Sequence, residues 1–334
     1  MEQVLSILLP HLPRWQYLDL HADTWEPIFC FLYHTQKRCA PLLQHVSMAR
    51  CYTYFSLPGK SFLPQPMKRH FPLFGGGTPK LRRITLTGVH VEWTSMAFRN
   101  LTELDLRYHA RDVMPTVPEF IRMLSTPQLL QKLAIVGWGT RWCDEMWEGN
   151  VVVLPHLLDL HLGFFDPLHA SHLLTLMKMN SLTSIVLEEM SRNVDKFIMP
   201  TTDATPVLSH FIHYAHRFHG VERMHLRMIH CMPEYFAHFL EVFSSLRDLT
   251  LDGVPEPFLN ALTSRPHEYG VVCPQLRFVR CRGLSDDAIR NFIRSRANSH
   301  HPLRSVNSEV GVSCETSTVC EVIGKTGLSI VPVD

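Results

Sequence analysis

The sequence predicts an α/β fold in which short parallel strands alternate with helices and stack into a solenoid. Two observations carry this prediction: one short apolar pattern recurs along the 334 residues, and helix-start signals lie between its copies. A strand–helix unit of this kind cannot bury its own apolar edge, so it must pack against its neighbours in the chain. The composition agrees, because 46% of the residues are hydrophobic and only 19% are charged, which disfavours disorder.

The strand pattern is L-x-x-L-x-L, and "LTELDL" at residues 101–106 is a clear copy. Its second apolar position falls at residues 18, 46, 84, 104, 133, 160, 185, 224, 249, 279 and 306. The copies lie about 29 residues apart on average, near the upper limit for leucine-rich repeats. We therefore expect a leucine-rich-repeat horseshoe over residues 12–310, with parallel strands on the concave side and helices on the convex side. A lead-in at 1–11 precedes it, and a cap or tail at 311–334 follows it.

The segments between the strands carry helix-start signals. Asp166 is placed to cap a helix whose first residue is Pro167, and Ser285 is placed to cap another. Pro118 and Pro233 occupy first-turn positions of two more helices. The apolar period thus changes from two in the strands to about 3.6 in the helices, as a strand–helix repeat requires.

Two intervals between strands are longer than the rest. Residues 50–78 are rich in proline and contain Gly75-Gly76-Gly77, so we expect an irregular loop with a glycine turn in place of a helix. Residues 188–205 form a second insert. Inserts in solenoids either contribute to binding or are tolerated drift, and the sequence leaves both interpretations open.

The stretch "HFIHYAHRFHG" at 210–220 has a histidine at every third position. These residues are His210, His213, His216 and His219. We expect one helix from an N-cap at Thr205 to a terminator at Gly220. A step of three residues falls short of a full helical turn by about 60°, so the first and last histidines point to nearly opposite sides. A solvated helix flank is therefore favoured over a metal site.

Catalytic and targeting motifs are missing from the sequence. It contains no H-E-x-x-H, G-x-S-x-G, G-x-x-x-x-G-K or G-x-G-x-x-G, so we expect no enzyme, no catalytic residues, no metal and no cofactor. The nine cysteines form no C-x-x-C pair, which is typical of reduced thiols in the cytosol or nucleus. No signal peptide is recognisable, and no apolar stretch approaches the roughly twenty residues that span a bilayer. We expect a cytoplasmic or nuclear protein without a membrane partner.

The strand positions on either side of the second apolar residue should face away from the core and form the concave surface. Their charged, histidine and aromatic members include Arg83, Asp105, Arg107, Lys132, Asp159, His161, Arg223, His225, Arg227, Asp248, Asp252, Phe278, Arg280 and Arg282. Two interpretations stay open: a solvated surface whose charges pair across strands, or a binding site for an acidic protein partner. A net charge of +1 without a massed basic face disfavours a nucleic-acid partner.

A second candidate contact region is the aromatic-rich stretch "GWGTRWCDEMWEG" at 137–149. Its tryptophans are Trp138, Trp142 and Trp147. Exposed tryptophans would anchor an interface, whereas packed ones would cover the edge of the solenoid. The packed arrangement is favoured, and the interface remains a hypothesis.

Three stretches of the sequence carry a family resemblance: "LPRWQYLDLHADTWEPIF", "PLFGGGTPKLRRITLTGV" and "GLSDDAIRNFI". Over about residues 12–310 the chain resembles the F-box and leucine-rich-repeat proteins of mushroom-forming fungi. This resemblance implies the substrate-recognition part of an SCF-type ubiquitin ligase, in which F-box helices hold the Skp adaptor of a cullin complex and the repeats capture the substrate.

The sequence departs from that family at the F-box itself. An F-box reading roughly L-P-x-E-[IV]-x-x-x-I-F is not found, because eleven residues precede the first repeat and "WEPIFCFLYHTQKRCAPLL" at 25–43 supplies only the I-F. No residue is carried over for adaptor binding, so Skp and cullin are expected only if an F-box lies outside this chain. The alternative is a free-standing leucine-rich-repeat scaffold with no ubiquitin-ligase link. Either way, we expect a non-enzymatic module, monomeric within any complex, that binds a protein on its concave face.

Overall fold

The protein is an α/β chain that divides into two compact units. The computed structural model describes residues 1–51, 56–141, 151–191, 202–262, 272–298, 301 and 303–309. Unit 1 comprises Met1–Phe165 and His172–Asn180, and unit 2 comprises Asp166–Ser171 and Ser181–Asp334. Each unit contains a run of adjacent parallel strands with helices between them.

Unit 1 contains six parallel strands, each hydrogen-bonded to the next in chain order. They are β1 (Tyr17–Ala22), β2 (His45–Arg50), β3 (Arg83–Thr87), β4 (Glu103–Arg107), β5 (Lys132–Val136) and β7 (Asp159–Phe164). Two shorter strands, β6 (Val152–Val153) and β8 (Met177–Lys178), pair with each other. Strands that pair with their nearest sequence neighbours in parallel need a crossover between each pair, which the intervening segments provide.

The register of these strands follows the sequence pattern residue for residue. The second apolar positions that align across unit 1 are Leu18, Val46, Ile84, Leu104, Leu133 and Leu160. From Val46 to Leu160 each is at most 1% exposed. A slip of one residue would turn this whole set towards solvent, so burial of the apolar positions specifies the register.

Unit 2 repeats the arrangement with five parallel strands in chain order. They are β9 (Ser184–Glu189), β10 (Arg223–Arg227), β11 (Asp248–Asp252), β12 (Phe278–Arg282) and β13 (Ser305–Glu309). The aligned second apolar positions are Ile185, Met224, Leu249, Val279 and Val306, all buried. Every strand predicted from the L-x-x-L-x-L pattern is therefore present.

Eight α-helices occur among the described residues. They are α1 (Glu2–Leu8), α2 (Glu26–Thr35), α3 (Val117–Ser125), α4 (Pro167–Thr175), α5 (Thr205–His213), α6 (Pro233–Glu241), α7 (Pro257–Ala261) and α8 (Asp286–Asn298). The carboxylate of Asp166 accepts the backbone N–H of Leu168, and the Ser285 hydroxyl accepts that of Ala288, so both predicted caps are confirmed. None of these helices combines the length and apolar character needed to cross a membrane.

The helices of unit 2 are joined by an aromatic layer. The Phe211 ring of α5 lies 5.8 Å from the Phe239 ring of α6, and Phe236 of α6 stacks on Phe258 of α7 at 3.9 Å. All four rings are buried. Aromatic contacts of this kind add to the area that each ring buries, so they hold successive helices at one level behind the strands.

The described part of the interval at 50–78 is irregular. Residues 56–78 form short 3₁₀ turns at Gln65–Met67 and Leu73–Gly76 and contain no α-helix. At Gly77 a Cβ atom would lie 2.5 Å from the Cys39 sulfur, so close packing requires glycine there. The insert at 188–205 lies mostly outside the described residues, as does the tail at 311–334.

The helix of the histidine run differs from its prediction. α5 ends at His213, because the backbone of Tyr214 leaves the helical region at φ −105° and ψ 31°, and a 3₁₀ turn follows. Its N-cap is Ala204, and Thr205 instead donates its hydroxyl to Asp203 at 2.6 Å. Residues 214–220 therefore do not continue the helix up to Gly220.

Candidate protein-binding surface

The predicted concave-face residues lie on one exposed side of the strands in each unit, which we call the strand face of that unit. In unit 1 the strand face carries Arg83, Asp105, Arg107, Lys132, Asp159 and His161. In unit 2 it carries Arg223, His225, Arg227, Asp248, Asp252, Phe278, Arg280 and Arg282. All of them are exposed or half-buried, whereas the second apolar positions are buried in all but the first strand. The alternation that the sequence predicts is thus present at each of these positions.

Charges on the strand face of unit 1 pair with one another. Glu103 lies between Arg83 and Lys132 of the flanking strands, at 3.8 and 3.5 Å. Arg107 donates from Nε to Asp105 at 2.7 Å within the same strand. These side chains are between 27% and 58% exposed, and exposed pairs of this kind contribute about 0–1 kcal/mol each. On this part of the surface the charged side chains pair with one another and remain in contact with solvent.

The strand face of unit 2 is organised around Arg227. Its guanidinium contacts Glu188 on β9 at 3.0 Å and Asp252 on β11 at 3.3 Å, so one arginine bridges three strands. The Glu188 side chain is only 5% exposed, which makes this a partly desolvated pair. Arg227 is therefore already occupied by its own neighbours and is not a free cation for an acidic partner.

His225 occupies the centre of the same strand. Burial, followed by the neighbouring charges of Arg227 and Arg282, lowers the pKa of His225 to about 4. The imidazole is therefore neutral at physiological pH and offers hydrogen bonds without a charge. Its neutrality leaves Arg227, Arg282, Asp252 and Glu188 as the charged groups around it.

A group that the sequence interpretation did not include lies at the N-terminal edge of β11–β13. Arg247, Arg277 and Arg304 occupy the residue immediately before each strand, and all three are exposed. Their backbones are consecutive in one hydrogen-bond ladder: the N–H of Arg277 donates to the carbonyl of Arg247 at 2.9 Å, and that of Arg304 to Arg277 at 2.8 Å. We call these three residues the arginine ladder. The signal was present as the repeated "LR" of "LRDLTL", "LRFVRC" and "LRSVNS".

The tryptophan contact region is not supported at its one described member. Trp138 is 6% exposed, and its indole N–H donates to the Ser56 carbonyl at 2.8 Å. The Arg111 guanidinium lies over its ring at 5.3 Å. Trp138 is a packed residue and not an exposed anchor, because the insert at 50–78 covers it. Trp142 and Trp147 lie outside the described residues.

The histidine run does not form one cluster. His210 is 5% exposed, whereas His213, His216 and His219 are exposed, so the predicted solvated flank is wrong for the first of the four. His210 is buried because it follows Val207 and Leu208 onto the inner side of α5.

A different group brings possible metal ligands together among the described residues. Ligand atoms of Glu2, Cys30 and His34 lie within 4.8 Å of one another, with Cys30 and His34 one turn apart on α2. Glu2 is exposed, and three protein ligands are one fewer than a structural zinc site uses. The signal for this group is the C-x-x-x-H spacing within a helix.

The buried His109, Cys273 and Cys281 are uncharged at neutral pH. Burial lowers the pKa of His109 to about 4, and its ring Nε2 donates to the Val89 carbonyl at 2.8 Å. Burial also raises the pKa of the Cys273 and Cys281 thiols to about 12, so neither is a thiolate nucleophile at neutral pH. These groups contribute to the core and not to a reactive site.

No protein-family model and no curated protein matches the sequence.

Proposed function

We propose that the chain is a leucine-rich-repeat horseshoe that acts as a non-enzymatic protein-interaction module, with its partner bound on the strand faces. The observation that supports this most is the exposed central position of each strand, between the second and third apolar residues. It is exposed or half-buried in every strand except β11, where Thr250 is 8% exposed. A row of side chains of this kind can be changed without altering the buried repeat, which suits a recognition surface.

Two substitutions test the proposal by adding bulk to this row. Ala134 on β5 and Val186 on β9 are half-buried central residues, one in each unit. Ala134→Arg and Val186→Arg should each reduce capture of the protein's own partners by about tenfold or more, because a clash at the centre of an interface is hard to avoid. Capture from cell extract, quantified by mass spectrometry against the wild-type chain, measures the effect.

Matched controls place the same arginine away from the strands. Gln128→Arg in unit 1 and Ser244→Arg in unit 2 add the same charge at exposed positions outside every strand and helix. They should capture partners as the wild-type chain does. Equal capture by all four variants would reject the strand faces as the binding surface.

The ubiquitin-ligase role implied by the resemblance is a narrower version of this proposal. The I-F of this segment is Ile28-Phe29 within α2, where Phe29 is half-buried and Ile28, Phe31 and Leu32 are at most 2% exposed. These side chains cannot serve at the same time as an exposed adaptor surface, which favours the free-standing scaffold for this chain. Purification of the tagged chain from its native cells decides between the two: stoichiometric Skp adaptor and cullin would establish the ligase role.

The cysteines support a reducing compartment, either cytosol or nucleus. Six cysteines of the described chain are free thiols. Free thiols persist where glutathione and thioredoxin keep them reduced. Alkylation in denaturing lysis buffer without reductant should label all six, including Cys273 and Cys281, which are buried in the folded chain. Protection of these cysteines as disulfides would contradict this location.

A further inference from the structure

The arginine ladder is a row of closely spaced cations. Adjacent parallel strands lie about 4.8 Å apart, so the three arginine backbones span only about 10 Å. Arg280, on the strand face of β12, adds a fourth exposed guanidinium to the same corner of unit 2. Like charges at this spacing repel one another, and an arrangement of this kind gains stability when an anion binds it.

Little within the described chain neutralises this corner. Arg247 contacts Glu222 at 3.6 Å, with both side chains about half exposed. Arg277, Arg280 and Arg304 make no ion pair with any residue that the structure describes. Among the described residues, this corner holds the four arginines Arg247, Arg277, Arg280 and Arg304, and the carboxylates of Glu222 and Asp248.

An exposed aromatic ring lies beside the ladder. Phe278 directly follows Arg277 and is 44% exposed, although it stands on a strand. Its backbone N–H donates to the Arg247 carbonyl at 2.9 Å, which holds it next to the ladder. Aromatic and arginine side chains together are the residue types most enriched at the energetic centre of protein interfaces.

The equivalent edge of unit 1 lacks this feature. The residues that precede its strands are Gln16, Gln44, Arg82, Thr102, Gln131 and Leu158. A single arginine among neutral side chains cannot form a row of cations. The ladder is therefore a property of the last strands of unit 2 and not of the repeat as such.

We propose that the arginine ladder, with Arg280 and Phe278, is a docking site for an acidic segment of a partner protein. Each guanidinium can hold a carboxylate by two parallel hydrogen bonds, and Phe278 can pack against an apolar side chain of the same segment. This inference rests on the proposed function, since it assigns a partner class to one corner of the strand face. A protein segment is chosen over a nucleic acid because the three ladder arginines cover only about 10 Å and Phe278 offers an apolar contact beside them.

Binding of a fluorescein-labelled decaglutamate peptide to the full chain tests the site. Fluorescence anisotropy at low salt should show saturable binding, and a decalysine peptide should not bind. Arg277→Glu/Arg304→Glu should weaken the affinity for decaglutamate by about tenfold or more, because charge-assisted contacts are replaced by repulsion. The neutral pair Arg277→Gln/Arg304→Gln provides the same test if the charge-reversed chain unfolds.

The matched control makes the same charge change elsewhere. Lys80→Glu/Arg82→Glu reverses two exposed cations beside β3 in unit 1. It should leave decaglutamate binding within about twofold of the wild-type value, because neither residue belongs to the ladder. Equal weakening by both double variants would overturn the proposal in favour of unspecific charge, as would absence of saturable decaglutamate binding. Tighter, ladder-dependent binding of a short oligothymidylate would overturn the choice of a protein segment.

The ladder and the module proposal fail in different ways. An inert ladder would leave Arg277→Glu/Arg304→Glu with wild-type partner capture, while Ala134→Arg and Val186→Arg still lose it. A wrong module proposal would leave capture unchanged in the strand-face variants, whatever the ladder does with the peptide.

Discussion

Within each unit the L-x-x-L-x-L pattern sets the register of the strands, but the two strand faces differ in how their charges are paired. In unit 1, Glu103 forms ion pairs with Arg83 and Lys132 on the flanking strands, so the charges of these two cations are partly neutralised within the unit. In unit 2, Arg227 binds two carboxylates at the C-terminal end of the strands, whereas at the other end Arg277 and Arg304 make no ion pair with a residue that the structure describes. The difference teaches that the apolar repeat determines where side chains stand, whereas the exposed positions determine whether they are available to a partner.

The largest expected effect concerns a feature in which the units are alike. Each buries a histidine whose pKa is about 4, His109 in unit 1 and His210 in unit 2, chiefly because burial disfavours the charged ring. Above about pH 6.5 both are neutral whether the chain is folded or not. As pH falls from 6.5 towards 4, only the unfolded chain takes up the proton, so the free energy of unfolding decreases. The decrease is about 1.4 kcal/mol per pH unit for each histidine, or about 3 kcal/mol at pH 4.

Single variants separate this effect from general acid denaturation. His109→Gln keeps a donor for the Val89 carbonyl, and His210→Phe keeps an aromatic ring against Tyr214. Urea unfolding at pH 7.0 and 4.5 should show a smaller pH dependence in each variant than in the wild-type chain. An unchanged pH dependence in both would mean that these rings are already hydrated in the folded state.

The second prediction compares a partly desolvated ion pair in unit 2 with a more exposed ion pair in unit 1. Arg227→Ala removes the arginine that contacts the nearly buried Glu188 carboxylate, whereas Arg107→Ala exposes Asp105 to water. We expect a loss of about 2 kcal/mol for Arg227→Ala, below the cost of breaking a fully buried pair because the arginine is 39% exposed. Arg107→Ala should cost less than about 1 kcal/mol. Thermal unfolding of both variants measures this, and equal losses would remove the distinction between the two faces.

The strands were predictable because each copy of the L-x-x-L-x-L pattern indicates alternating burial, and the repetition of the pattern indicates how neighbouring strands align. The L-x-x-L-x-L pattern predicts that Leu104, Leu133 and Leu160 occupy equivalent positions, and in the structure they are partners on adjacent strands. The availability of charges was not predictable, because it depends on contacts between residues far apart in the chain. Glu188 and Arg227 are separated by an insert, and Trp138 is covered by Ser56 from another insert. The strand pattern does not predict the ladder, because the ladder precedes the alternating positions of the strands.

The third prediction separates binding from folding at the corner of unit 2. Phe278 is 44% exposed, so Phe278→Ala should change the free energy of unfolding by less than about 0.5 kcal/mol. It should weaken binding of an acidic peptide that carries one phenylalanine by about fivefold, because the phenylalanine of the peptide loses the Phe278 ring that it packs against. Anisotropy with that peptide and with decaglutamate checks this: the affinity for decaglutamate should be almost unchanged. Equal weakening for both peptides would show that Phe278 acts by positioning the arginines.

The smallest expected effect tests whether the arginines of the ladder contribute unequally to binding of decaglutamate. Arg247 already contacts Glu222 at 3.6 Å, whereas Arg277 makes no ion pair within the described residues. Arg247→Gln should therefore lower the affinity for decaglutamate by less than about twofold, and Arg277→Gln by about threefold to fivefold. Glu222→Gln is the complementary variant, since it frees Arg247 and should raise the affinity slightly. If Arg247→Gln and Arg277→Gln weakened binding equally, the intramolecular pair would not matter, and net charge alone would explain how unit 2 differs from unit 1.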